Sequence, residues 1–267
     1  MKIKKRDIMI LCGVVLVLVL VLLLVKSCSG PDLPDVPDSS VTEPQNPTES
    51  ETEPPVESQP ENTEPQILPH MAELLAQNPD FAYWVEIEGT VLDYPVMYTP
   101  TDREKYLHKG FDQKYSFSGM PFLDSNCMID PESDNLIIYG HNMGNGTMFR
   151  TLMSYTDEAF FQEHPQVKFT TMYEERTYDI LAVFYDRVYY KYEDVFKFYQ
   201  FIDAEDEADY NEAISYYKEH SIYDTGVTAE YGDRLLTLVT CAYHEENGRF
   251  VVVARQRVDK PEQPDAP

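Results

Sequence analysis

"LLTLVTCAYHEENGRFVVVAR", residues 235–255, is two apolar, β-branched runs joined by a polar loop. Such runs, broken by Asn, Gly and charged residues, read as an antiparallel strand pair. A pair that only built a core would need neither the thiol closing the first run, Cys241, nor the guanidinium opening the second, Arg249. In a hairpin these two stand opposite each other, with Cβ atoms about 5 Å apart on one face. Arg255 lies on the same face but roughly 20 Å further along at about 3.3 Å per residue.

Working outward, "AYWVEI" (82–87) and "VLDYPVMY" (91–98) flank the compact turn "EGT". "NLIIYGH" (135–141), "VKFTT" (167–171) and "TYDILAVFY" (177–185) are further aromatic or β-branched runs. Ile67, Leu68, Met71, Leu74 and Leu75 recur at helical spacing before "NPD" stops them. Residues 203–220 form the other helical stretch, with acidic residues crowded into its first turns. Many short strands with one or two appended helices predict a mainly β fold, a closed or nearly closed barrel.

The N-terminal end is different in kind. Ile8 to Val25 is uninterrupted apolar sequence, long enough at about 1.5 Å per residue to cross a bilayer core of about 30 Å. Lys2, Lys4, Lys5 and Arg6 precede it and only Lys26 follows closely, so the N-terminus is expected in the cytoplasm and the remainder outside. The long apolar run and the lack of an Ala-x-Ala-like site favour an uncleaved anchor over a signal peptide. Lys26, two residues before Cys28, fits a lipoprotein acylation site poorly. From Ser29 to Gln66 there are nine prolines and ten acidic residues with no basic or aromatic ones. That composition predicts a disordered stalk. The expected organisation is a cytoplasmic end (1–7), a membrane segment (8–25), a stalk (26–66), a folded domain (67–258) and a disordered tail (259–267). The formal charge of −26 argues against nucleic acid as a ligand.

Of four cysteines, only Cys127 and Cys241 fall in the folded domain. Three roles stay open for Cys241: a disulfide with Cys127, an inert buried thiol, or a nucleophile beside cationic neighbours. A nucleophile needs a proton-transfer partner. His141 closes "NLIIYG" and opens the loop "HNMGNG", where a scaffold presents functional side chains. His70, His108, His164 and His220 sit in polar or helical contexts and read as surface residues. His244 forms Cys-x-x-His with Cys241, but no second such pair exists, so neither a metal nor a cofactor is expected.

"LIIYGHNM", followed about a hundred residues later by "TLVTC" and then "GRFVVVAR", resembles the sortase family of Gram-positive cell-surface cysteine transpeptidases. "FAYWVEIEGTVLDYPVM", "YLHKGFD", "MPFLDSN" and "GTMFRTLMSYTDEAFFQEHP" are similar in order and spacing to class B sortases. The likeness covers nearly all of residues 67–258, and the helix at 203–220 sits where class B members carry one. It implies a closed sortase-type barrel of about eight strands with an N-terminal helix and one inserted late. It implies Cys241 as nucleophile, His141 as general acid and base, and Arg249 with the Ala242 N–H as oxyanion donors. Leu107 is implied to line the substrate groove. The implied substrates are secreted proteins with a C-terminal sorting signal, cleaved after threonine. The implied acceptor is an amine of lipid-linked peptidoglycan precursor or of a pilin lysine. A hydrolase using water as acceptor, and a non-catalytic surface-binding module, are the alternatives.

Overall fold

The structure, a computed structural model, describes residues 65–257. The expected membrane segment at 8–25, nearly all of the stalk and the tail at 259–267 lie outside them. Among the described residues no helix is long and apolar enough to cross a membrane.

Helix α1 (Pro69–Gln77) begins with a proline at its first turn, where the missing N–H costs nothing. It precedes β1 (Phe81–Glu86) and β2 (Asp93–Met97), which pair antiparallel. Their turn is closed by Ile87 N–H to Leu92 O at 2.8 Å and Thr90 Oγ1 to Ile87 O at 2.7 Å. Then come β3 (Phe122–Leu123), β4 (Asn135–Tyr139), α2 (Glu158–Glu163), β5 (Gln166–Thr170), β6 (Glu175–Arg187), α3 (Glu207–His220), β7 (Leu235–Cys241) and β8 (Gly248–Gln256).

Eight strands close a barrel in the order β1-β2-β3-β4-β7-β8-β6-β5, sealed by β1 against β5. The β2/β3 and β4/β7 pairs are parallel and the others antiparallel. The expected fold is thus present, with a two-residue β3 too short for any periodicity to reveal. Val85, Ile138, Phe169, Leu236 and Val252 are fully buried in the core. Helix α3 joins β6 to β7 and lays Tyr217 against Phe184, ring centroids 5.7 Å apart.

That helix starts four residues later than the acidic run predicts. Asp206 accepts from the N–H groups of Ala208 and Asp209 and caps it. Asp203 is used elsewhere, accepting from Ser133 Oγ and Asp134 N–H. The acids of 203–206 therefore serve a loop and a cap, a division the helical pattern alone does not mark.

Candidate active site

The site forms where three neighbouring strands end. Strand β7 is buried throughout except at its last residue, so Cys241 is half-exposed at the rim. Its antiparallel neighbour β8 sets Cys241 opposite Arg249, and Leu235 opposite Arg255 at the far end. Its parallel neighbour β4 pairs Tyr139 with Val239. Two residues further along each chain, His141 follows β4 at the level where Cys241 ends β7. Register alone thus brings a histidine, a cysteine and an arginine side by side.

Local bonds hold the strand ends together. Gly140 N–H donates to Val239 O at 3.0 Å, and Thr240 Oγ1 donates to Gly140 O at 2.7 Å. Asn142 Nδ2 donates to Cys241 O at 2.7 Å and its Oδ1 accepts from Arg150. Phe149 N–H donates to His141 O at 3.0 Å. A Cβ at Gly140 would lie 2.4 Å from the Phe149 ring, so only glycine lets the chain turn over that ring into His141.

His141 makes one side-chain hydrogen bond among the described residues, from Nε2 to Leu107 O at 2.9 Å. A carbonyl only accepts, so Nε2 carries the hydrogen and Nδ1 is the nitrogen left for proton transfer. Arg249 donates from Nη1 to Asn247 O at 3.2 Å and Gly248 O at 2.9 Å, which pins its guanidinium to the hairpin loop. His141, Cys241 and Arg249 line one cleft of about 140 Å³ with Leu107, Phe122 and Tyr139. Arg249, Leu107, Phe122 and Tyr139 also line a neighbouring groove of about 480 Å³ that reaches Phe198 and Tyr199. At the shared wall, burial and the Asp124 carboxylate, which accepts from the Tyr139 hydroxyl at 3.0 Å, hold that phenol above its ordinary range.

One of the open readings of Cys241 closes. Cys127 and Cys241 are both free, which removes the disulfide reading; Cys127 is 1% exposed and burial pushes its thiol up to about 12. The Ala242 N–H donates to Gly248 O at 3.0 Å and the residue is buried. It closes the β7/β8 hairpin, and an oxyanion role for this N–H requires that it turn from Gly248 O to the substrate. His244 turns instead to Glu245 at 3.0 Å and to the Tyr185 ring at 4.7 Å. Among the described residues no three metal-ligating side chains gather. Asn142 and Thr240, which tie the loop of His141 to the strand of Cys241, carry no sequence signal beyond standing next to those two residues.

A closed β-barrel with a half-exposed thiol, an imidazole and a guanidinium at adjacent strand ends has the layout of a cysteine acyl-transfer enzyme. The Sortase domain family matches residues 85–257. The chain is 30% identical to Sortase B of Staphylococcus aureus over 191 residues, 71% of this chain and 75% of that protein. It is 30% identical to Sortase B of Listeria monocytogenes over 195 residues, 72% and 75% respectively. A solved Staphylococcus aureus sortase B-substrate complex superposes with a TM-score of 0.64 at 27% identity, covering 73% of this chain and 88% of that one. The chain belongs to the sortase family and is a cysteine transpeptidase of the class B type.

Proposed function

We propose that this transpeptidase cleaves a C-terminal sorting signal after threonine and transfers the upstream protein to an amine of cell-wall precursor or of a pilin lysine. The observation that carries the proposal is the single cleft shared by Cys241, His141 and Arg249. The Cys241 sulfur attacks the threonine carbonyl, forming an S–C bond, and His141 holds the thiol's proton. As the C–N bond breaks, His141 delivers that proton to the leaving amine and a thioester remains. The acceptor amine then attacks the thioester; His141 takes a proton from it, the S–C bond breaks and a new amide forms. Arg249 faces the developing oxyanion. The groove continuous with the cleft, floored by Leu107, Phe122 and Tyr139, takes the signal residues before the threonine. Residues 8–25 anchor the enzyme in the cell membrane, and the stalk at 26–66 carries the catalytic domain on the extracellular side.

Mass analysis of products from a panel of sorting-signal peptides, with and without an added amine, tests this reading. The expected product in the presence of amine is the amide-linked adduct. Hydrolysis product alone, at every amine concentration, would identify a peptidase.

The arginine gives a second measurement. Arg249→Ala is expected to lower kcat about 100-fold, the scale of losing one oxyanion donor. Arg249→Lys should stay slow because the planar fork is lost. Arg255→Ala should change the rate little, since Arg255 lies at the other end of the hairpin near Asp179 and Asp233. Steady-state kinetics in which Arg255→Ala is slow and Arg249→Ala normal overturn the assignment.

A further inference from the structure

The geometry points to His108 as a positioning residue for His141, a proposal that rests on His141 being the proton-transfer group. In nucleophile and base pairs a third group usually orients the base. Here the only side-chain bond of His141 among the described residues goes to the neutral carbonyl of Leu107. One bond along Nε2–H fixes where that nitrogen points but leaves the ring free to turn about the bond axis. A flat group against the ring face removes that freedom. The His108 ring supplies one, its centroid 5.7 Å from that of His141 and the two planes within 20°. The Leu107–His108 pair thus meets the imidazole on an edge and on a face.

The platform is itself held. Ser116 N–H donates to His108 O at 3.1 Å, and Met120 N–H donates to Tyr106 O at 3.0 Å. Gly119, at φ +57°, packs so closely that a Cβ there would lie 2.5 Å from Leu107 O. His108 also neighbours Tyr115, centroids 6.3 Å apart and planes 32° apart. His108 is solvent-exposed, and a surface residue with no such role would tolerate replacement.

The test uses the full chain, a sorting-signal peptide that it cleaves, and ¹⁵N-histidine labelling. His108→Ala is expected to lower kcat about tenfold with KM unchanged, because the misplaced ring is felt in the chemical step. His108→Phe keeps a flat ring and should recover most of the rate. The Leu107 bond should keep neutral His141 as the Nε2–H tautomer in all three chains, while ¹⁵N relaxation of its ring should match between the parent and His108→Phe and show added ring motion in His108→Ala. A parent-like kcat in His108→Ala, a loss confined to KM, a Phe variant as slow as Ala, or unaltered His141 ring relaxation in His108→Ala each overturn the proposal. Should His141→Ala retain turnover, the proton-transfer role fails, while the ¹⁵N comparison still reports whether His108 holds the ring.

Discussion

Cys241→Ala is expected to remove turnover entirely while leaving the domain folded. The thiolate is the nucleophile in this chemistry and no other group on the rim offers one. Cys127 cannot substitute, since it is buried inside the barrel with its sulfur 3.5 Å from Asn135 O. Alanine fits a strand end, and the backbone bond from Asn142 Nδ2 to residue 241 O survives the change. Mass spectrometry of enzyme mixed with substrate peptide should show an acyl adduct in the parent and none in the variant. Circular dichroism and thermal melting should overlay. Cleavage retained in a folded Cys241→Ala chain would falsify the nucleophile assignment.

His141→Ala is expected to slow turnover on the order of 10³-fold, within the range for a lost general acid and base. His244→Ala should stay within about twofold of the parent, because the His244 ring lies against Tyr185 and Glu245 and does not line the cleft. The two histidines are both plausible on paper, one in a glycine-rich loop and the other three residues from the thiol. Strand register separates them: the parallel β4/β7 pairing carries His141 to the cysteine's level, whereas His244 sits in the loop beyond it. Comparing kcat of the two variants checks this, and a reversed order of losses would make Cys-x-x-His the working pair.

The barrel was legible because its long strands state their own period. The β7/β8 hairpin can be read down to the pairing of Cys241 with Arg249, since these two residues flank the polar loop that separates the two apolar runs. What could not be read has physical causes. Strand β3 has two residues, fewer than one period of alternation. The 3₁₀ segment Phe149–Thr156 follows neither the strand nor the α-helix period. The Ala242 N–H was assigned to the oxyanion by resemblance, yet a backbone donor's partner depends on hairpin closure, and here Gly248 O takes it. His108 looked like a surface residue, and by exposure it is one. Only three-dimensional packing shows that its ring meets His141.

The parallel pairing of β4 with β7 also sets when the thiol acquires its partner. Sequence neighbours cannot supply it: the bond from Asn142 to Cys241 O spans 99 residues, and that from Thr240 to Gly140 O spans 100. Contacts this distant form only after a large loop has closed. Until then Cys241 is an ordinary cysteine in a chain that holds no aligned base. Chemical competence therefore depends on the β4/β7 pairing, and a chain that lacks it presents no aligned acyl-transfer centre to peptides around it.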